Sequence, residues 1–332
     1  GIMPHRHLLK QMPLAEWIMA ADLAQRTSLD QRTLDYHVHT LIKDGVAIGC
    51  CKRRGYCLFE AVDFIDRDEL IGMLDASSLL RPARLEVLDE VDSTNTRLLT
   101  WPELSEFHGR ACVTEFQTAG RGRHGKRWHG ARYRNVMLSL AWQWSGPLDL
   151  VTGLSLSIGL AVARVLSQWT GPGLQLKWPN DIMFSGGKLA GILIDVIPTG
   201  DGPLRVVVGL GVNVCNSSHL EQVVDQRVIN LQDIAIRSMS RTQLTGELIL
   251  AMALALDRFE KLGFAPDQVA WNQCDRFRGR TVLASIDGEV FEGEGYGVDS
   301  EGRYRIIDTS GNEQAVSAGE VKLSANPNRR FR

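Results

Sequence analysis

The chain has 332 residues, of which 44% are hydrophobic and 23% charged, with a formal net charge of −2. That length suits two or three compact units, and the ordinary composition excludes a disordered or low-complexity protein. Near-zero net charge removes any bulk attraction to nucleic acid or membranes, so an anion site must come from local clustering. No uninterrupted apolar stretch reaches the ~20 residues a membrane span needs, and residues 1–6 lack the apolar core of a signal peptide. Gly1-Ile2 ahead of Met3 reads as an added remnant, and a cytoplasmic location is expected. The six cysteines, at 50, 51, 57, 112, 215 and 274, form no C-x-x-C pair and read as free thiols. A zinc site from Cys50, Cys51 and Cys57 with His37 or His39 is disfavoured, because vicinal thiols compete for one ligand position.

In chain order, residues 17–24 read as a short helix. Ser28-Leu29-Asp30 then turns into a second helix through Lys43, with Leu34, Val38, Leu41 and Ile42 spaced by three and four. Residues 46–59 alternate around the basic turn Lys52-Arg53-Arg54-Gly55 and read as a two-stranded wing. Helix, turn, helix and hairpin give a winged helix-turn-helix over residues 3–60. An acid-rich connector follows at 61–83, with a short helix near 66–74.

The middle zone, 84–275, alternates strands and helices. Strands are expected at 85–91, 110–117, 135–144, 174–178, 189–197 and 204–214, and helices at 93–99, 149–169 and 242–262. The nearly all-apolar run at 204–214 suits a strand covered on both faces. From 276 to 323, turn signals recur between short strands, which predicts a small β-barrel. The fold class is therefore α+β: a winged N-terminal unit, a central mixed β-sheet with helices, and a C-terminal barrel.

From Gly120 the sequence reads Gly-Arg-Gly-Arg-His-Gly-Lys-Arg-Trp. Gly120, Gly122 and Gly125 fit G-x-G-x-x-G, and Gly120–Lys126 fits the start of a phosphate-binding P-loop. Both fail on context: Arg127 stands where the P-loop needs Ser or Thr, and no helix follows. Val136, Leu138, Leu140 and Trp142 alternate instead, so the loop joins two strands. Arg121, Arg123, Lys126, Arg127, Arg132 and Arg134 cluster there without an acidic residue. Glycines let backbone approach a ligand, and arginine forks match phosphate and carboxylate oxygens. Lys177-Trp-Pro-Asn180-Asp181 and Lys188, at a strand entry, add lysines that can reach a phosphate. Asp92-Ser93-Thr94-Asn95 is at minimum a helix cap, and it offers short polar groups to an amide-like ligand.

Ser93-Thr94-Asn95, Gln117 with Gly120-Arg-Gly-Arg-His-Gly, Lys177-Trp-Pro-Asn-Asp181, Lys188-Leu-Ala-Gly-Ile and Gly209-Leu-Gly-Val-Asn213 occur in an order that resembles the bifunctional bacterial biotin–protein ligases, which are also biotin operon repressors. The likeness covers nearly the whole chain. It implies a class II synthetase-like central domain and an SH3-like C-terminal barrel. It also implies a two-step reaction in which biotin and ATP give biotinyl-5′-AMP. A lysine of the biotin carboxyl carrier protein of acetyl-CoA carboxylase then takes the biotin. By resemblance, Ser93, Thr94, Asn95 and Gln117 position biotin's ureido ring. Arg121, Gly122 and Arg123 close over carboxylate and phosphates, Lys188 bridges biotin and the α-phosphate, and Lys126 contacts phosphate. Trp128, Lys177, Asn180 and Asn213 lie on the nucleotide side, and magnesium comes with ATP. Lys126 replaces an arginine of the family pattern. Residues 215–230 lack the tryptophan of the best-known repressors, with Val223, Val224 and Val228 as alternative apolar cover.

The same resemblance implies operator DNA as a partner, biotinyl-5′-AMP as corepressor and a homodimer on ligand binding. Gln31, Arg32 and Tyr36, with wing residues Lys52, Arg53 and Arg54, are the candidate DNA contacts, while Asp30 and Asp35 oppose them. Two rivals stay open: a lipoate–protein ligase, and a transcription regulator that only senses the ligand.

Overall fold

The computed structural model describes residues 4–145, 151–199, 202–216 and 226–324. The first unit contains α1 (Pro4–Lys10), β1 (Trp17–Ile18), α2 (Ala20–Thr27), α3 (Gln31–Lys43), β2 (Ile48–Cys51) and β3 (Gly55–Leu58). In α3 the three-to-four spacing buries Leu34, Val38 and Leu41, and Asp30 caps the helix by accepting from the Thr33 amide at 2.7 Å. The strands form a small sheet in the order β1-β3-β2. Two elements depart from expectation. Trp17 and Ile18 are not helical but pair with Cys57 and Tyr56, a contact forty residues away that local periodicity does not register. The helix α1 was not foreseen.

The connector is built into the fold. It carries α4 (Arg67–Leu74), capped by Asp66 through the Glu69 amide, and α4 packs against the long helix Arg241–Leu262.

The central sheet has seven strands: β4 (Leu85–Leu88), β5 (Ala111–Thr114), β6 (Val136–Trp144), β7 (Leu174–Lys177), β8 (Asp181–Phe184), β9 (Gly187–Ile197) and β10 (Leu204–Val212). Their order is β4-β5-β6-β10-β9-β8-β7; only β4 and β5 run parallel. The short β8 lies outside the strands expected from the sequence. Five described helices accompany the sheet: α5 (Thr94–Leu99), α6 (Val151–Thr170), α7 (Leu231–Ile234), α8 (Arg241–Leu262) and α9 (Gln268–Gln273). Residues 149 and 150 of the expected 149–169 helix lie outside the described residues.

Alternation along β10 divides the sheet into two faces. Val206, Val208, Leu210 and Val212 join the main core with α6 and α8, while Val207 packs in a separate cluster with Leu98 of α5. Gly209 and Gly211 share that second face. By length and composition α6 would pass for a membrane span. Its apolar residues instead bury against α8 and the sheet, and Arg164 is exposed.

The last unit is a five-stranded antiparallel sheet of β11 (Thr281–Ile286), β12 (Glu289–Val298), β13 (Tyr304–Asp308), β14 (Glu313–Val316) and β15 (Glu320–Leu323), in the order β14-β13-β12-β11-β15. Both outer units dock on the central one. Arg132, fully buried, reaches Asp44 of the first unit at 2.8 Å, Asp89 at 3.4 Å and Glu90. At the other junction Tyr304 donates to Asp275 at 2.8 Å, and the Trp178 indole donates to the Gly302 carbonyl.

Candidate functional site

On the α5 face of the central sheet lies a cavity of about 620 Å³. Ser93, Thr94 and Asn95 at the start of α5, Gln117, residues 121–124 and 126–129 of the loop, residues 177–179, Asp181, Lys188, the strand residues 191–193 and 209–211, and Asn213 all line it. Segments that looked unrelated along the chain meet there.

Glycine makes the room. A Cβ on Gly211 would lie 2.5 Å from Cζ2 of Trp128, and one on Gly209 would lie 2.3 Å from Oδ1 of Asn95. The indole and the amide therefore sit directly on the strand backbone. Trp128 also has a buried ring nitrogen without a hydrogen-bond partner among the described residues, a donor turned inward.

At one end the groups are polar and almost fully buried. Ser93 caps α5. The Thr94 amide donates to Oε1 of Gln117 at 2.9 Å. Ser139, one strand over, lies 2.6 Å from the Thr94 hydroxyl and 2.5 Å from Oδ1 of Asn95. Nδ2 of Asn95 donates to the Leu193 carbonyl and to Asp195.

The loop folds back on itself as a narrow hairpin. Arg121 bridges Arg127, the Gly122 amide donates to the Lys126 carbonyl, and the Trp128 amide donates to the Gly120 carbonyl. His124 adopts φ 55° at its tip. The two site arginines are pinned in different places. Arg121 forms a forked pair with Asp195 at 2.8 and 3.3 Å. Arg123 donates to the Gly319 carbonyl of the C-terminal unit at 3.1 Å, and burial pulls its guanidinium below the usual pKa.

Among the described residues, six cations line the cavity (Arg121, Arg123, Lys126, Arg127, Lys177, Lys188) against two carboxylates, Asp181 and Glu320. That balance favours an anionic ligand. Lys188 sits between two lining groups: its ammonium lies 3.2 Å from Asp181 and 5.6 Å from the Trp128 ring centroid. Asn213 holds the backbone there, donating to the Lys188 carbonyl at 3.0 Å.

Not every residue singled out in the sequence reaches the cavity. Asn180 does not line it: its amide donates to Ser155 and to the Ile192 carbonyl, bracing the turn after β7. Arg132 and Arg134 also leave the loop's cationic cluster. Carboxylates outside the cavity, Asp44, Asp89 and Glu90 for Arg132 and Glu60 for Arg134, draw them away. Val228 lines the cavity, whereas Val223 and Val224 lie outside the described residues. Sequence reading missed Ser139, Asp195 and Glu320. No motif contains them, and only the fold brings them to the site.

Gln31, Arg32, Tyr36, Lys52, Arg53 and Arg54 are all exposed, on α3 and on the β2–β3 turn. The opposing carboxylates are occupied: Asp30 caps α3, and Asp35 accepts from Tyr56 at 2.8 Å and faces His39 at 3.3 Å.

The model of the biotin/lipoate A/B protein ligase family matches residues 87–213. The bifunctional ligase/repressor BirA of Salmonella typhimurium is 33% identical over 319 residues, covering 95% of this chain and 96% of that protein. Its Escherichia coli counterpart matches to the same extent. A biotin–[acetyl-CoA-carboxylase] ligase of Mycobacterium tuberculosis is 32% identical, covering 77% of this chain and 92% of its own. Among solved structures, the biotin protein ligase from Aquifex aeolicus in complex with biotin and ATP superposes with TM-score 0.62 at 25% identity, over 72% of this chain and 99% of that one.

Proposed function

The chain belongs to the biotin/lipoate A/B protein ligase family, and from that premise we propose that it is an ATP-dependent biotin–protein ligase. The observation that carries this reading is the cavity itself. A buried polar end at Thr94, Asn95 and Gln117 continues into a cationic end at Lys188, Arg121 and Arg123. That suits a ligand with an amide-like head and a carboxylate tail beside a nucleotide phosphate.

In the first step the biotin carboxylate oxygen attacks the α-phosphorus of ATP. The bond to the departing pyrophosphate breaks, leaving biotinyl-5′-AMP. Negative charge builds on phosphate oxygens, so cations fixed in advance stabilise the transition state. We assign that role to Lys188, Arg121 and Arg123, with Lys126 on the phosphates. Trp128, Lys177 and Asn213 border the nucleotide, and Asn180 supports it from behind. In the second step a neutral lysine amine of the carrier attacks the acyl carbon, AMP leaves and the amine loses a proton. The mixed anhydride needs shelter from water until then, which suits the hairpin over the cavity.

Magnesium neutralises phosphate charge when it arrives with ATP. The two lining carboxylates, one of them paired with Lys188, fit a hydrated ion carried by phosphates rather than a protein cage. The acceptor protein is the biotin carboxyl carrier protein of acetyl-CoA carboxylase, and the setting is cytoplasmic.

The unit boundaries belong to this reading: a winged helix-turn-helix at 3–60, linker at 61–83, catalytic domain at 84–275 and SH3-like barrel at 276–323. The exposed residues of α3 and the basic turn support a repressor role, with biotinyl-5′-AMP as corepressor and a ligand-induced homodimer.

Pyrophosphate exchange with biotin and lipoate in parallel tests the ligase. Exchange with biotin and little with lipoate is expected; the reverse overturns the assignment. A gel shift on the chain's own biotin-operon promoter, with biotin and ATP at stated salt, tests the repressor, and absence of a sequence-specific shift overturns it.

A further inference from the structure

One charged group at the polar end has no part in the mechanism above, the carboxylate of Asp195. We propose that Asp195 is a positioning residue that sets ligand specificity: it fixes the direction of each hydrogen bond running through Asn95, Ser139 and Thr94, so that the cavity presents the complement of a cyclic urea. The inference deepens the biotin reading and rests on it.

The direction follows from donor and acceptor inventory. A carboxylate only accepts. Asp195 Oδ2 lies 3.0 Å from Asn95 Nδ2, and the Leu193 carbonyl lies 3.2 Å from the same nitrogen. Both amide protons of Asn95 are thereby taken, and its oxygen must face Ser139, at 2.5 Å. An amide oxygen cannot donate, so the Ser139 proton goes to it. The Ser139 oxygen then accepts from Thr94 at 2.6 Å, a much shorter contact than the 3.4 Å from the same hydroxyl to Oε1 of Gln117. With its own proton committed, the Thr94 oxygen keeps lone pairs for a donor.

On the other side the Thr94 amide engages Oε1 of Gln117. That leaves Gln117 Nε2 as a donor with no partner among the described residues. The cavity thus offers two acceptors, Thr94 Oγ1 and Asn95 Oδ1, and one donor, Gln117 Nε2. A cyclic urea carries the inverse set, a carbonyl acceptor between two N–H donors. A dithiolane ring carries none of it. Thr94 and Asn95 are 4% and 3% exposed, so a ligand that leaves them unmatched after excluding water is penalised.

An asparagine at 195 could donate as well as accept, and the orientation of Asn95 would then rest on the Leu193 carbonyl alone. Asp195 also pairs with Arg121, so the experiment must separate the two routes. Biotin-dependent pyrophosphate exchange is measured on the full chain as D195N, S139A and the double variant. D195N is expected to raise the KM for biotin about tenfold, the scale of one lost buried hydrogen bond. The KM for ATP and the rate at saturating biotin should stay within about threefold, and the preference for biotin over lipoate in kcat/KM should fall by the tenfold factor. S139A breaks the same chain, so the double variant should be no worse than D195N.

Unchanged biotin KM and unchanged preference in D195N overturn the proposal. Full additivity in the double variant also overturns it, because it assigns the effect to Arg121. Should D195N not fold, S139A alone decides: an unaltered biotin KM there is equally fatal. A wild-type chain with no biotin-dependent exchange overturns the biotin reading and this inference together, whereas the variant results bear on this inference alone.

Discussion

Residues whose chemistry is local could be read directly from the sequence. Lys188 stands in the sequence at a strand entry, and it lines the cavity beside Trp128 and Asp181. Its pairing with Asp181 was not legible, because the two sit on adjacent strands whose register shifts at Met183. Lys188→Ala should retain the fold, since the side chain lies in the cavity and not in the core. Adenylate formation should drop at least ~100-fold, the scale of one preorganised electrostatic contact. Biotin-dependent pyrophosphate exchange is the check, and near-normal exchange would sink the role assigned to the ammonium. Asp195 marks the limit of this kind of reading. An aspartate within an apolar strand pattern has no motif, and its importance depends on Asn95 and Arg121, both more than seventy residues away.

At the scale of elements, periodicity recovered the long strands and helices and most of the short ones, and failed on α1, β1 and β8. The 9-residue β10 and the 22-residue α8 lie within two residues of expectation. The two-residue β1 and four-residue β8 exist only through their partners. The basic loop was half legible. Arg121, Arg123, Lys126 and Arg127 line the cavity, yet Arg132 and Arg134 answer to carboxylates that only the fold brings near. Arg132 is the consequential case. Its guanidinium, 0% exposed, stacks over Phe116 at 4.4 Å and joins the C-terminal end of α3 to the strand β4 exit through Asp44, Asp89 and Glu90. Arg132→Met keeps volume but strands the carboxylates of Asp44 and Asp89, which are 11% and 12% exposed. Breaking one side of such a buried cluster costs roughly 3 kcal/mol or more. Calorimetry should show the N-terminal unit melting earlier, as a shoulder or separate transition. A single unshifted endotherm would show that the docking rests on apolar contacts such as Phe64 against Tyr133.

Across the whole molecule, a buried carboxyl and a half-buried imidazole sit at the two docking junctions and respond to acid in opposite senses. At the C-terminal junction, burial raises the Asp275 carboxyl from 3.8 to about 6, while Tyr304 and the Phe277 amide donate to it. From about pH 4 to about 6 the native chain keeps a proton that the unfolded chain releases, so this group's contribution to stability is lost as pH rises through that window. The full swing is about 3 kcal/mol. At the N-terminal junction, burial first, and then the Arg132 charge and His37, lower His5 from 6.5 to about 4. There the unfolded chain takes up the proton first, so stability is lost as pH falls from about 6.5 toward 4. Acid should therefore loosen the N-terminal junction while tightening the C-terminal one. Asp275→Asn should be more stable than wild type above pH 6, match it below pH 4, and lose the descending limb between them. His5→Gln should instead flatten the rise toward neutral pH. Denaturation midpoints from pH 4 to 7 on the two variants separate these limbs. If the Asp275→Asn curve runs parallel to wild type throughout, Asp275 is ionised in the folded chain, and its bond from Tyr304 compensates the burial in full.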